Sequence, residues 1–100
     1  MQLTKLQKIT IISERFLKDE VITLVKKCGA KGYTMSDTMG EGSRGIRASE
    51  WEGKNIKLET VVSQETANMI LQAISDEYFE NYAVIVYSAE VHVVRGEKYI

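Results

Sequence analysis

Residues Asn55 to Val62 read NIKLETVV, and this stretch decides how the rest of the chain is arranged. Its apolar residues Ile56 and Leu58 alternate with charged ones, which is the pattern of a strand with one buried face. The preceding stretch, Met39 to Asn55, reads MGEGSRGIRASEWEGKN and has neither a strand period nor a helical one. The chain therefore returns from a long loop as a strand.

The segment before the loop is also a predicted strand. Residues Gly32 to Thr38 read GYTMSDT, with Tyr33 and Met35 on one face. Two strands joined by this loop form a hairpin. Loops of this length inside a compact domain are uncommon and are usually functional, so the loop is the first place to look for a site.

Two helices and a first strand flank the hairpin. The β-branched stretch Gln7 to Ser13 predicts the first strand, and apolar spacing predicts a helix from Leu17 to Cys28. Ser63 is suited to cap a second helix that ends near Asn81. Its predicted buried face consists of Ala67, Ile70, Leu71, Ile74 and Tyr78.

The last predicted strands are Tyr82 to Ser88, YAVIVYS, and a short fifth strand from Val91 to Val94. Residues 83–87 are all apolar, so this strand needs burial on both faces. Two helices cannot cover both faces of a sheet, and an exposed apolar patch of this kind marks an interface. We therefore expect a homo-oligomer packed through the open sheet face.

The order strand, helix, strand, strand, helix, strand is the ferredoxin-like βαββαβ arrangement, an α+β fold with an antiparallel sheet. One hundred residues, 44% of them hydrophobic, suit a single domain spanning residues 1–100. The sequence thus predicts one small domain with a long loop between its second and third strands.

The composition argues against several classes of function. A net charge of -1 and a pI of about 5.8 lack the broad basic surface that nucleic-acid binding needs. The only histidine, His92, and the only cysteine, Cys28, are far apart in sequence, so no metal site and no familiar catalytic constellation is expected. No stretch has the length of a membrane span or the pattern of a signal peptide, so we expect a cytoplasmic protein without direct membrane insertion.

The loop segment GEGSRGIR, residues 40–47, is the candidate ligand site. Its glycines allow backbone N–H groups to turn toward an anion, and the Ser43 hydroxyl adds a donor. Arg44 and Arg47 are placed to bind a phosphate, and an arginine hydrogen bond to a charged acceptor contributes about 1.5–3 kcal/mol. No lysine follows the last glycine, so this is no P-loop. On the pattern alone, a solvated hairpin loop remains the alternative.

Three aromatic residues have two interpretations each. Trp51 in the outer part of the loop is a candidate anchor for a protein partner, or it folds back on its own sheet. Tyr33 and Tyr82 suit packing in the core or between subunits, or stacking on a base. The residue pattern alone leaves these alternatives open.

Four segments together resemble the PII-like signalling proteins: GAKGYT at 29–34, GEGSRGIR at 40–47, NIKLE at 55–59 and YFENYAVIVYSAEV at 78–91. The similarity is greatest to the SbtB-like branch, which is linked to bicarbonate uptake and carboxysomes. It implies a ferredoxin-like homotrimer whose inter-subunit clefts bind AMP, ADP, ATP or cAMP, with bicarbonate as a further candidate ligand. It also implies that the long loop, called the T-loop, contacts a bicarbonate transporter or a carboxysome-linked protein.

The resemblance implies two groups of nucleotide-binding residues. The residues implied to bind the phosphates lie in the loop and are Gly40, Gly42, Ser43, Arg44 and Arg47. The residues implied to contact the adenine and the ribose lie on the strands. They are Gly32, Tyr33 and Thr34 of one subunit and, across the subunit boundary, Leu58, Glu59, Val84 and Ile85.

Two departures from relatives limit these expectations. No cysteine follows Cys28, so the redox control and nucleotide hydrolysis of relatives with a cysteine-containing C-terminal loop are not expected. No tyrosine lies between Tyr33 and Tyr78, so uridylylation at the loop tip is not expected.

The leading hypothesis is a non-enzymatic sensor of the adenylate state, with no cofactor, that regulates inorganic carbon uptake through its loop. Two other classes stay open. A small-anion hydrolase on the same fold would need Glu41 or Glu59 as its general base. A structural or metal-tolerance trimer would show no nucleotide-dependent ordering of its loop.

Overall fold

The computed structural model describes residues 1–40 and 55–100. Its main elements, in chain order, are β1 (Thr4–Glu14), α1 (Lys18–Cys28), β2 (Thr34–Thr38), β3 (Asn55–Val62), α2 (Gln64–Tyr78) and β4 (Ile85–Val93). Single 3-10 turns occupy Arg15–Leu17 and Gly96–Tyr99. Within the described ranges, four strands form one antiparallel sheet in the order β2-β3-β1-β4. The predicted ferredoxin-like α+β fold is confirmed.

Both helices pack on one face of the sheet. The central strand β1 alternates across the sheet, and its residues Ile9 and Ile11 are fully buried beneath the helices. Burying a side chain of this size contributes about 1.5–3 kcal/mol, so this layer holds the two helices in place. The core cluster is Ile9, Ile11, Leu17, Val21, Leu24, Val25, Ala30, Leu58, Val62, Ala67, Ile70, Ile74 and Tyr78.

The helix ends follow the predicted signals. The Ser63 Oγ accepts a hydrogen bond from the Thr66 backbone N–H at 3.1 Å, which caps α2. Gly29 ends α1 at a φ of 121°, a conformation that L side chains rarely adopt. These two features fix where α2 begins and where α1 ends.

The prediction of two separate C-terminal strands is wrong. β4 is one strand from Ile85 to Val93, and it pairs with β1 along its whole length, from Ile12↔Ile85 to Thr4↔Val93. β1 is long enough to pair with Ala89 and Glu90, the residues that separate the two predicted strands, so the ladder is continuous. The strand also starts later than predicted, because the Tyr82 N–H bonds back to the Tyr78 carbonyl at 2.9 Å as α2 ends.

The face of the sheet opposite the helices, called the open face below, carries apolar side chains. Ile85 and Tyr87 of β4 are 53% and 49% exposed, whereas Val84 and Val86 pack against the core. The alternation shows why the apolar run cannot all be buried by two helices. Among residues 1–40 and 55–100, no helix has both the length and the hydrophobicity needed to cross a membrane.

Candidate functional site

The first group of candidate residues lies where the chain enters β2. Gly32 and Tyr33 precede the strand, and Thr34 is its first residue. The Thr60 hydroxyl donates a hydrogen bond to the Gly32 carbonyl at 2.6 Å, which fixes the backbone at this point. Tyr33 is 39% exposed, with the Lys26 Nζ 5.8 Å from its ring centroid. This aromatic ring is therefore accessible from outside the protomer.

Glu59 joins this first group. It pairs with Thr34 in the β2–β3 ladder, and its carboxylate lies 3.4 Å from the Lys8 Nζ. The side chains of Thr34 and Glu59 therefore lie side by side on the open face of one protomer. Leu58 differs, because its side chain is fully buried in the core and its backbone pairs with Ile11 on one side and with Met35 on the other.

The second group lies where the chain enters β4. Val84 packs against the core, and Ile85 is half-exposed on the open face. The backbone N–H of the preceding residue, Ala83, donates to the Glu14 Oε1 at 3.2 Å. This hydrogen bond holds the start of β4 against the end of β1.

The two groups lie on opposite edges of the sheet. The strand order places β3 and β1 between β2 and β4, so about 14 Å separates the two edges at an inter-strand spacing of about 4.8 Å. One protomer therefore does not bring Thr34 and Ile85 together. Glu59 lies beside Thr34 in the same protomer; that it lines a cleft with Val84 and Ile85 across the subunit boundary, as the resemblance implies, stays a prediction.

The residues implied to bind the phosphates fall mostly outside the described residues. Gly42, Ser43, Arg44, Arg47 and the candidate partner anchor Trp51 all lie outside them. Gly40 is described and exposed, and no atom of the described residues lies within 4 Å of the position that a Cβ would take. The pairing Thr38↔Asn55 places the two ends of the loop next to each other, beside the last residue pair of the β2–β3 hairpin.

Sequence reasoning missed an ion pair beside the first group. The Arg15 Nη1 contacts the Asp37 Oδ1, and both residues line a surface cavity of about 340 Å³ together with Tyr33. The two residues are 22 positions apart, and neither lies in a recognisable motif. Only the strand order brings them together.

A second cavity, of about 370 Å³, lies between the two helices. There the Tyr78 hydroxyl donates to the Glu20 Oε1 at 3.2 Å. Burial, followed by the negative charge of Glu20, raises the pKa of Tyr78 to about 12. The part of the chain that the structure describes contains no cluster of three or more side chains able to hold a metal ion.

Three solved structures share this fold over nearly the whole chain. A protein from Thermus thermophilus, provisionally named a PII-like signaling protein, is 54% identical with a TM-score of 0.88, and each chain covers 100% of the other. The CPII protein of Thiomonas intermedia K12 bound to ADP and bicarbonate is 28% identical with a TM-score of 0.86, over 99% of this chain and 98% of that one.

A further CPII structure from the same organism, bound to ADP, AMP and bicarbonate, is 27% identical with a TM-score of 0.85. It covers 98% of this chain and 96% of its own. The family model described as nitrogen regulatory protein P-II matches residues 6–98. With this match and the βαββαβ order of its elements, the chain belongs to the nitrogen regulatory protein P-II family.

Proposed function

We propose that this protein is a non-enzymatic signalling protein that binds adenine nucleotides in the clefts between the protomers of a homotrimer. The observation that carries this proposal is that Thr34 lies on the edge strand β2, with Glu59 beside it, whereas Val84 and Ile85 lie at the start of the opposite edge strand, β4. A cleft between two protomers brings the β2 edge of one next to the β4 edge of another. The exposed Ile85 and Tyr87 supply apolar surface for such an assembly.

The ligand class is supported by the structural relatives. Two CPII structures at 27% and 28% identity hold ADP with bicarbonate, and one of them also holds AMP. We therefore propose AMP, ADP, ATP or cAMP as the ligand, with bicarbonate as a second ligand of the same protein. In this proposal Arg44, Arg47 and Ser43 bind the phosphates with the Gly40 and Gly42 backbone.

The remaining candidate residues would contact the base and ribose. Gly32, Tyr33 and Thr34 come from one protomer, with Glu59 beside them, and Val84 and Ile85 come from its neighbour. Because the Leu58 side chain is fully buried, Leu58 would shape the cleft through the position of its backbone.

Titration calorimetry with ADP tests the site. Arg44→Ala and Arg47→Ala are each expected to weaken ADP binding by at least about tenfold, since a charged hydrogen bond of about 1.5 kcal/mol or more is lost. Lys54→Ala removes a cation from the same loop and is the matched control, with wild-type affinity expected. Wild-type affinity in both arginine variants would contradict the proposed phosphate site. Steady phosphate release from ATP would instead favour a hydrolase.

We further propose that the nucleotide signal is passed on by the loop, as in an SbtB-like regulator of inorganic carbon uptake in the cytoplasm. The partner would be a bicarbonate transporter or a carboxysome-linked protein, with Trp51 among its contacts. Support comes from the pairing Thr38↔Asn55, which anchors both ends of the loop on the same two strands that carry Thr34 and Glu59.

The fluorescence of Trp51 measures this coupling directly, because Trp51 is the only tryptophan in the chain. Saturating ADP is expected to shift the intensity or the emission maximum of this residue, with a midpoint equal to the calorimetric dissociation constant. ADP binding without any fluorescence change would contradict transmission through the loop. Guanosine diphosphate, which carries the same phosphates on another base, serves as the control ligand.

A further inference from the structure

Two consecutive residues at the end of the central strand reach in opposite directions across the sheet. Glu14, the last residue of β1, accepts a hydrogen bond from the Ala83 N–H through its Oε1 at 3.2 Å. Arg15, the next residue, forms an ion pair with Asp37 near the end of β2. We refer to this pair of residues as the Glu14–Arg15 tie.

Each of the two contacts of the tie lies close to one of the two groups of candidate residues. Ala83 directly precedes Val84 and Ile85, so its bond to Glu14 fixes where β4 begins. Asp37 lies in β2 three residues after Thr34, and Arg15 lines the same cavity as Tyr33. The tie therefore joins the β2 edge and the β4 edge through the end of β1.

We infer that Glu14 and Arg15 are positioning residues for two neighbouring nucleotide clefts, an inference that rests on the proposed function. In the proposed trimer, one protomer gives its β2 edge to one cleft and its β4 edge to another. The two contacts therefore hold one part of each of two clefts from the same point at the end of β1.

The exposure of the two contacts indicates whether they act on folding stability or on the position of the cleft residues. The Arg15 and Asp37 side chains are 43% and 46% exposed, and ion pairs this exposed add little to folding stability. Their larger effect is expected on the geometry of the cleft. The bond from Ala83 to Glu14 is part-buried and has a carboxylate acceptor, so its loss displaces the start of β4 more strongly.

The first experiment measures ADP affinity by calorimetry and the unfolding midpoint for a set of Glu14 variants. Glu14→Ala removes the acceptor and is expected to weaken ADP binding by about tenfold. Glu14→Gln keeps an oxygen acceptor and is expected to bind within about twofold of the wild type. Glu90→Ala removes a half-exposed carboxylate from β4 away from the tie and is the matched control, with wild-type affinity expected.

The second experiment is a double-mutant cycle on the ion pair. Arg15→Gln and Asp37→Asn are each expected to weaken ADP binding by about threefold, within the range of exposed ion pairs. The double variant is expected to bind no more weakly than the weaker single variant, because both changes remove the same contact. The cycle isolates this pair from the other interactions of Asp37.

The outcomes distinguish this inference from the proposed function. If the wild type binds ADP, and Glu14→Ala and Arg15→Gln remain folded and bind with wild-type affinity, the inference is overturned and the proposed function stands. If Glu14→Gln loses as much affinity as Glu14→Ala, the hydrogen bond to Ala83 is not what positions the cleft, and the inference is also overturned. If the wild type binds none of AMP, ADP, ATP and cAMP, both are overturned.

Discussion

Tyr78 is a residue whose burial is readable from the sequence but whose partner is not. Helical spacing predicts Tyr78 on the buried face of the second helix, and the structure confirms this, with 4% of the residue exposed. Its hydroxyl, however, donates to Glu20, which is 58 positions away on the other helix. A spacing pattern describes one element at a time, so contacts between two elements are invisible to it.

The raised pKa of Tyr78 predicts a pH dependence of stability. The pKa is about 12 in the folded protein against an ordinary value of 10.0. Between these values the unfolded chain loses a proton that the folded protein keeps, so the free energy of unfolding falls as pH rises. The contribution is fully present below about pH 10. Urea unfolding at pH 9 and pH 11 is expected to show a smaller loss of stability for Tyr78→Phe than for the wild type.

A second variant tests the cause of this shift. Glu20→Gln removes the neighbouring negative charge and is expected to lower the pKa of Tyr78, which ultraviolet absorbance of the tyrosinate measures. An identical pH dependence of unfolding in the wild type and in Tyr78→Phe would contradict the assignment.

For the candidate binding residues too, the sequence predicts the strand face on which a side chain lies but not its partners on other strands. The alternation in NIKLETVV places Leu58 in the core and Glu59 on the opposite face, and both placements are observed. The hydrogen bond from Thr60 to the Gly32 carbonyl and the ion pair of Arg15 with Asp37 depend on strand order. Neither leaves a signal in a single stretch of sequence.

At the scale of elements, the strength of the local signal decides how well each boundary is predicted. β3 runs from Asn55 to Val62 as predicted, because it alternates clearly and is followed by the Ser63 cap. β4 was misplaced because an unbroken apolar run has no period, and because its polar stretch resembles a turn. Its actual extent is set by pairing with β1, a partner more than seventy positions away at either end of the ladder.

The C-terminal 3-10 turn, Gly96 to Tyr99, gives a test at this scale. A Cβ on Gly96 would overlap the Thr4 side chain, so Gly96→Ala forces the turn away from the start of β1. Overpacking of this kind costs about 1–3 kcal/mol, which chemical denaturation measures. Gly32→Ala is the matched control for stability, since no atom of residues 1–40 and 55–100 lies within 4 Å of its Cβ position. Equal stability of the two variants would show that the turn does not pack on β1 in solution.

At the scale of the whole molecule, assembly into the proposed trimer would explain both the exposed open face and the separation of the candidate residues between two sheet edges. Ile12 of β1 pairs with Ile85 of β4, and Tyr87 lies two residues further along β4, so the apolar side chains of the open face lie on two neighbouring strands. The Thr10 hydroxyl is buried without a partner among the described residues. Assembly into the proposed trimer would cover this surface and bring opposite sheet edges together. The sequence predicts the uncovered face, but only the strand order shows that the candidate site is split between two edges.

The most direct test of the account is to restore a nucleotide cleft from two defective protomers. Thr34→Glu damages the β2 half of the site and Ile85→Asn damages the β4 half, so each homotrimer alone is expected to lose ADP binding. Sedimentation first establishes that both variants and the wild type are trimers and that the wild type binds ADP.

When the two variants are refolded together in equal amounts, about one quarter of the clefts receive two intact halves by random assembly. Calorimetry of this mixture is expected to recover ADP binding at wild-type affinity with about one quarter of the wild-type number of sites. A mixture of verified hybrid trimers that binds no more ADP than either variant alone would contradict the claim that nucleotides bind between protomers.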